Sequence, residues 1–549
     1  VAGRQVPPVF NGMATAADWM SGASFVALAG GVYFGGYTYM AFLVGCTGGY
    51  VLVATLLAPY LRKFGCYTVP DFIGTRYGGN LVRACSVFVL FIASFTYVTA
   101  QINATGTIAS RALGIPFELG VWVGLISILI CSMLGGMRAV TWTQVAQYIV
   151  LIIAYLLPVF WISNKIGGGV FPHLMLGDEV ARLGDLEQQF GLVKNSAADM
   201  KAAGVPGGLK YISGPHSGVP DGGAAVWKYL SLAICMMVGT ASLPHILMRY
   251  FTTPSVKAAR KSVAWSLFFI FLLYSSAPML ATLSKLALMD PNLPTGIIGK
   301  SISEVQSIAW VQNWSAVKQV FIADFNGDGI LQLNEWFMRG DVVVLATPEV
   351  AGLPFVISGL VFAGGMAAAM STADGLVLAI SNALSHDIYY KIVNPKADTQ
   401  KRLIVARVLL VIIGAAGAYI ASFRLTSILG SVAWAFDFAM SGLFFPLVLG
   451  VWWKRATRAG AIAGIVTGIL SGLFYLLWVY PKFSVPIFGQ VNEPFLYIDH
   501  LRFGLIGAPV CLVTMVVVSL MTKEPDAATQ AMVDATRIPT GKAVLGKQH

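Results

Sequence analysis

Long apolar stretches separated by short polar ones dominate the chain, and no stretch alternates strictly between apolar and polar positions. A helix crosses a bilayer with roughly 20 mostly apolar residues. Twelve stretches meet that requirement: 14–37, 40–60, 82–110, 117–136, 142–164, 227–249, 258–285, 351–384, 403–422, 426–452, 457–480 and 503–521. Backbone groups inside hydrocarbon must be hydrogen-bonded within the protein, so these spans are predicted to be helices. The missing period-two pattern argues against a membrane barrel. The expected fold class is an all-α membrane protein.

Basic residues fix the expected orientation. Arg62, Lys63, Arg76 and Arg83 cluster between spans 2 and 3, and Arg138 sits between 4 and 5. Arg249, Lys257, Arg260 and Lys261 follow span 6, Lys391, Lys396, Lys401 and Arg402 follow span 8, and Lys454, Arg455 and Arg458 follow span 10. Every even-to-odd junction is thus assigned to the cytoplasm, together with the tail 522–549. Two long segments, 165–226 and 286–350, are then external loops.

Three spans are interrupted by small and polar residues. Span 1 reads Ala16-Ala17-Asp18-Trp19-Met20-Ser21-Gly22-Ala23-Ser24, and span 6 reads Gly239-Thr240-Ala241-Ser242-Leu243-Pro244-His245. Span 8 carries Gly364-Gly365 and Met370-Ser371-Thr372-Ala373-Asp374-Gly375. Small residues alone are explained by close helix packing. Asp18 and Asp374 ask for more, because an intramembrane carboxylate is costly and is a functional candidate by default. Spans 1 and 6 lie five apart, and paired interruptions at matching places indicate a transporter with inverted repeats. The expected plan is a cytoplasmic segment 1–13, a first repeat 14–164, a loop 165–226, a second repeat 227–452, peripheral spans 453–521 and the tail 522–549.

Composition agrees: of 549 residues, 57% are hydrophobic and 11% charged, too few charges to cover a soluble globule. The net charge of +11 fits cytoplasmic loops rather than nucleic acid. Cys46, Cys66, Cys85, Cys131, Cys235 and Cys511 lie in or beside apolar spans, so no external disulfide framework is expected. No P-loop, metal-ligand cluster or nucleophile–base pair marks the spans, so neither an ATP-driven pump nor an enzyme is expected.

One external segment carries its own chemistry. Residues 324–335 read Asp-Phe-Asn-Gly-Asp-Gly-Ile-Leu-Gln-Leu-Asn-Glu, matching the calcium-loop pattern D-x-[DN]-x-[DN]-G-x5-E. Asp324, Asn326, Asp328, the carbonyl of Ile330 and a bidentate Glu335 supply the oxygens, and Gly329 the sharp turn. A helix over Trp314 to Ile322 is predicted before it. An ordinary acidic turn is the competing reading.

The chain resembles the sodium:solute symporters, nearest their bacterial cation/acetate branch. The resemblance rests on Val1-Ala2-Gly3-Arg4 and Asn11-Gly12-Met13-Ala14; Ala17-Asp18-Trp19-Met20-Ser21; Gly135-Gly136-Met137-Arg138-Ala139-Val140-Thr141-Trp142-Thr143-Gln144; Leu243-Pro244-His245 with Arg249-Tyr250; and Met370-Ser371-Thr372-Ala373 with Ser385-His386-Asp387. It implies a LeuT-like inverted five-helix repeat with additional peripheral helices. It also implies a further span upstream of Val1, and short two-span partner subunits accompany some relatives. It implies a sodium site formed by the carbonyls of Ala17, Met20 and Ala368 and the hydroxyls of Ser371 and Thr372. Hard oxygen ligands of this kind suit sodium, while bonding of the hydroxyls to their own helix is the competing reading. Many relatives have Asp where this chain has Gln144, and a second hydroxyl can occur where it has Ala368, so a second sodium of that kind is not expected.

The resemblance implies inward sodium flow coupled to uptake of acetate or another small monocarboxylate, in a bacterial inner membrane. Candidate substrate contacts are broken-helix N–H groups near Ser24 and Ser242, the hydroxyls of Ser21 and Thr240, and the side chains of Gln101 and Trp434; Asn103 and Asp437 share those spans. Gly239 stands where sugar-transporting relatives place a large aromatic, which implies a smaller substrate. No mid-membrane Arg or Lys stands out to pair with a carboxylate. The alternatives are proton coupling through Asp18 or Asp374, sodium-coupled uptake of another small solute, and a transport-like sensor module.

Overall fold

The computed structural model describes residues 6–134, 137–166, 169, 171–217, 223–539 and 543–545, with only the backbone of Leu134, Met137, Arg138 and Ala224. The strings Val1–Arg4 and Gly135-Gly136 therefore lie outside the described residues, as does the side chain of Arg138.

Helices occupy each of the twelve expected spans. Span 1 is two helices, α1 (Pro8–Trp19) and α2 (Leu28–Gly35), and span 2 is α3 (Met40–Leu52) continued by α4 (Ala58–Phe64). A connecting helix α5 (Val69–Tyr77) leads to α6 (Asn80–Leu113), α7 (Phe117–Leu134) and α8 (Met137–Lys165). Among the described residues, ten helical segments are long and apolar enough to cross a membrane, because Ala23–Phe64 runs on as one segment and α7 is shorter.

The long loop after α8 holds an amphipathic helix, α9 (Leu176–Phe190), which packs on α12 (Val256–Met289). Span 6 is again two helices, α10 (Gly223–Ser242) and α11 (Pro244–Tyr250), ahead of α12. The second long loop contains α13 (Ala309–Ala316), β1 (Val320–Ile322) and β2 (Trp336–Met338). The two strands pair antiparallel with Phe321 opposite Phe337. The helix expected over Trp314 to Ile322 thus ends early. Lys318 turns the chain with φ at 56°, and the β-branched and aromatic residues after it pair as a strand.

The remaining spans are α14 (Phe355–Asn382), α15 (Thr399–Ser422), α16 (Ile428–Ala439) with α17 (Phe445–Trp452), α18 (Arg458–Val479) and α19 (Gly504–Met521). α1 packs against α8, α12 and α14, and α16 packs against α6 and α10. α18 and α19 pair closely at one side: a Cβ on Gly464 would stand 2.8 Å from that of Met515, and one on Gly468 would stand 2.6 Å from that of Cys511. Small residues let helix backbones approach where lipid supplies no hydrophobic drive.

Several basic residues counted as loop charges are structural instead. Arg62 donates to the Thr253 carbonyl at 2.9 Å, and Arg76 to that of Gly450 at 2.9 Å. Arg83 bridges Asp71 at 3.0 Å and Asp387 at 2.7 Å. Thr68 donates a further bond to Asp387 at 2.8 Å.

The first long loop is anchored by a buried polar knot. Lys285 of α12 pairs with Glu187 of α9 at 2.7 Å. Glu187 also accepts from the His216 backbone N–H, and the His216 ring lies 3.0 Å from the Thr282 hydroxyl. Burial, reinforced by Lys285, lowers the His216 pKa to about 3. The folded protein therefore keeps this ring neutral where the unfolded chain, with an ordinary value of about 6.5, is protonated. Between those values the unfolded state binds more protons, so stability falls as the pH is lowered from 6.5 toward 3. Thermal unfolding of the detergent-purified protein across this range should show that slope, and His216→Gln should flatten it.

Candidate functional site

The two helix breaks meet at the centre. α1 stops at Trp19, Met20 leaves the helix with ψ at 67°, and a π-turn spans Ala23–Ala27 before α2 begins. α10 stops at Ser242; Leu243 is extended and Pro244, which lacks a donor to lose, starts α11. Breaking a helix in an apolar interior frees backbone groups that need partners, and they find side chains of other helices. The Gly22 N–H donates to the Gln101 side-chain oxygen of α6 at 2.8 Å. The Ser371 hydroxyl of α14 donates to the carbonyls of Ala17 at 2.7 Å and Ala368 at 2.9 Å. The Thr372 hydroxyl donates to the Asp18 carbonyl at 2.8 Å. Both hydroxyls are fully buried.

The Asp18 carboxylate is not isolated. The Arg249 guanidinium of α11 pairs with it at 2.9 Å, with both side chains essentially removed from solvent. The Gln144 amide donates to Asp18 at 3.3 Å and to the Ser371 carbonyl at 2.7 Å. Gly375 makes this approach possible, since a Cβ there would stand 2.0 Å from an Asp18 carboxylate oxygen. The expectation that no arginine reaches the mid-membrane region is corrected. Arg249, counted as a loop charge, points back into the bundle because a buried carboxylate is there to receive it. Asp374 accepts from the Ser132 hydroxyl of α7, and its second oxygen has no hydrogen-bond partner among the described residues.

Beside the first break lies a narrow cavity of about 20 Å³, room for the centre of a single water. Its wall is aromatic. Trp19 stands edge-on to Tyr50 at 5.2 Å and beside Phe436 at 5.5 Å, and Tyr97 meets Phe436 at 5.8 Å. Phe42, Cys46 and Tyr274 complete much of it.

Of the expected substrate residues, Ser24 lines this cavity and faces the Tyr274 hydroxyl at 3.2 Å. Ser21 is buried at the break, and Gln101 is committed to Gly22 through its oxygen while its amide nitrogen is buried without a partner. The hydroxyls of Thr240 and Ser242 bond back to Met236 and Val238 of their own helix, as such residues do when no other acceptor competes. Trp434 does not line the central cavity; it faces a separate cavity and donates to His500 at 3.1 Å. Gly239 opens no space for a ligand either: a Cβ there would stand 2.5 Å from that of Phe436, so the α16 aromatic packs into the gap. Sequence reasoning missed Tyr97, Tyr274 and Phe436. Their only signal is aromatic character within apolar spans.

In the second long loop, Asp324 accepts from the N–H groups of Gly327 at 2.7 Å and Gly329 at 3.1 Å, and Asp328 accepts from that of Ile330 at 2.8 Å. The bond from Ile330 holds the Asp328 carboxyl below the usual carboxylate range. Glu335 accepts from Phe325 at 2.8 Å and Gln332 at 3.0 Å. Gly327 and Gly329 both have φ above 70°, the left-handed turn this loop needs. Asp324, Asp328 and Glu335 do not converge as a tight triad. Among the described residues, the acid and histidine side chains that do are Asp71, His386 and Asp387, where Arg83 already supplies a cation.

The chain matches the sodium:solute symporter family over residues 1–307 and 343–468. It belongs to that family. The calcium-type loop falls in the unmatched stretch 308–342. An uncharacterized symporter of Cupriavidus necator is 41% identical, covering 95% of this chain and 87% of its own. A monocarboxylic acid transporter of Corynebacterium glutamicum is 26% identical, covering 86% and 77%. A sodium-coupled sialic acid symporter, solved in a substrate-bound outward-open state, superposes with a TM-score of 0.63 at 15% identity over 95% of this chain and 92% of its own. The fold is thus the LeuT-like inverted repeat of a multi-pass membrane symporter, with peripheral helices added.

A buried ion pair that loses one partner leaves an uncompensated charge, at a cost of about 3–5 kcal/mol. Arg249→Met should therefore lower the melting temperature of the purified symporter more than Asp18→Asn with Arg249→Met does. Additive losses in the double variant would mean that the two side chains are not coupled.

Proposed function

We propose that the protein is a secondary active symporter in a bacterial inner membrane, coupling inward sodium flow to uptake of a small monocarboxylate such as acetate. The observation that carries the reading is the meeting of Ser371 and Thr372 with the carbonyls freed at the first helix break. The proposed sodium ligands are the carbonyls of Ala17, Met20 and Ala368 and the hydroxyls of Ser371 and Thr372. In the conformation described, the Ser371 hydroxyl donates to the carbonyls of Ala17 and Ala368, and that of Thr372 to the Asp18 carbonyl. A sodium ion would turn the hydroxyl oxygens and the carbonyls toward itself, replacing hydrogen bonds with ion–oxygen contacts. Arg249 offsets the charge of Asp18 beside this site. Sodium stabilises the state open to the outside, and substrate then permits closure, because each binds the two states unequally.

The monocarboxylic acid transporter among the relatives supports the substrate class. The proposed substrate contacts are Ser21, Ser24 and the Gln101 amide. Closure of the cavity to about one water's room describes a state that must open its aromatic wall before acetate fits. The second reading, proton coupling, is favoured by the unpartnered oxygen of Asp374.

Labelled acetate uptake into proteoliposomes tests both. A sodium gradient alone should drive uptake, and Ser371→Ala or Thr372→Ala should raise the sodium concentration for half-maximal uptake about tenfold, the equivalent of 1.4 kcal/mol of ion binding. Uptake driven by a pH gradient without sodium, and lost in Asp374→Asn, would establish the second reading in its place.

For the external loop we propose a structural calcium ion held by Asp324, Asn326, Asp328, the Ile330 carbonyl and Glu335. The left-handed glycines and the carboxylates preset by backbone amides support it. A single loop of this type binds at about 10⁻⁴–10⁻³ M. Millimolar calcium should raise the melting temperature of the parent protein and leave that of Asp324→Ala with Asp328→Ala unchanged.

A further inference from the structure

A second, larger cavity opens on the side that the charge alternation assigns to the exterior. Its volume is about 610 Å³, and its walls come from both long loops and from the connections before α16 and before α19. Four cations line it, Lys210, Arg339, Arg424 and Lys482, against one carboxylate, Asp341. Such an imbalance around a recess focuses a positive potential into it.

The cations are held in place rather than freely hydrated. Arg339 donates to the Gly207 carbonyl at 2.8 Å, and Lys482 to the Leu425 carbonyl at 2.6 Å. Arg424 is fixed most firmly. Its backbone has φ at 43°, a conformation that side-chain-bearing residues seldom adopt, and its guanidinium lies 3.4 Å over the Phe117 ring. Its Nε and Nη2 atoms, with Nε of Arg339, are buried and have no hydrogen-bond partner among the described residues. Burial and the neighbouring Arg339 lower the Arg424 pKa to about 9, against the opposing pull of Asp341 and Glu118. Buried guanidinium donors without acceptors are costly, and a carboxylate presents the two acceptor oxygens that a guanidinium fork matches.

The recess also leads somewhere. Leu429, at the start of α16, lines both it and the narrow central cavity, and a Cβ on Gly31 of α2 would stand 3.3 Å from the Leu429 side chain. The cationic recess and the aromatic cavity thus share the Leu429 side chain as a wall.

We propose that this recess is an external anion-binding site, in which a small organic monoanion docks on Arg424 beside Arg339 and Lys482 before passing Leu429 to the centre. The identity of the anion as a monocarboxylate rests on the transport reading; the site itself does not.

The test separates the two. In full-length protein with the half-exposed Cys85 and Cys131 replaced by Ser, the other four cysteines being buried, Thr426→Cys puts a thiol on the recess wall. Its labelling rates with an anionic and a cationic methanethiosulfonate are measured in proteoliposomes and normalised to a free thiol. The anionic reagent should be favoured about tenfold, and Arg424→Gln should reduce that preference about threefold or more while Arg424→Lys keeps most of it. Lys482→Gln serves as the second charge deletion if Arg424→Gln does not fold. Millimolar acetate should slow labelling in the parent and not in Arg424→Gln.

No preference for the anionic reagent, or a preference unmoved by either charge deletion, would overturn the proposal. So would failure of acetate, pyruvate, chloride and phosphate alike to protect the thiol. Protection by another of these anions with none by acetate would uphold the site and sink the acetate assignment.

Discussion

Everything at the centre of this molecule answers to one constraint: a helix broken in a dry, apolar interior must have its freed backbone groups met from elsewhere. The first span breaks between Trp19 and Leu28, and the partners come from distant parts of the chain. Gln101 of the third span takes the Gly22 N–H, while Ser371 and Thr372 of the eighth reach the carbonyls of Ala17 and Asp18. Each contact satisfies a group that would otherwise be stranded, and together they lock three spans around one point. The oxygen cluster that could hold a cation is the same set of atoms that makes the break tolerable. Structure and candidate site are here one solution to one problem.

The Asp18–Arg249 pair extends that logic to charge. A lone carboxylate at this depth would favour protonation and draw cations without discrimination. Pairing it with Arg249 links the two broken helices, since Asp18 ends α1 and Arg249 lies in α11. An ion pair that bridges the two breaks gives the centre a fixed geometry. Gln144 serves both sides of this arrangement by donating to Asp18 and to the Ser371 carbonyl. An amide at that position supplies a donor where a carboxylate would supply a further negative charge.

What was legible in the sequence was whatever a short string carries. The spans were legible from their length and apolarity, and the breaks from clustered small residues at Gly22 and from Pro244, because those residues act on their own backbone. The fold class followed from the five-span spacing of the breaks and from the family resemblance. Pairings between distant residues were not legible. Asp18 and Arg249 are 231 positions apart, and Arg249 reads as one more basic residue after a span. Gly239 read as open space, because nothing local says that Phe436 of another helix fills it. Thr240 and Ser242 read as ligands, although a hydroxyl on a helix has its own carbonyl one turn back as a ready acceptor. The four cations of the outer recess come from four separate connections, each unremarkable alone.

The outer recess and the inner cavity differ in the physics by which they would hold the same anion. In the recess, buried guanidinium donors and surplus positive charge act at long range and need little fit. In the centre, charge is already balanced, the wall is aromatic, and only hydroxyl, amide and backbone donors near Ser21, Ser24 and Gln101 are at hand. An anion moving inward past Leu429 therefore exchanges attraction by charge for recognition by shape and a few hydrogen bonds. Such an order has a physical merit. Strong fixed cations at the transport site would hold a monoanion too tightly to release it, whereas cations one step outside raise its local concentration without deepening the well from which it must leave.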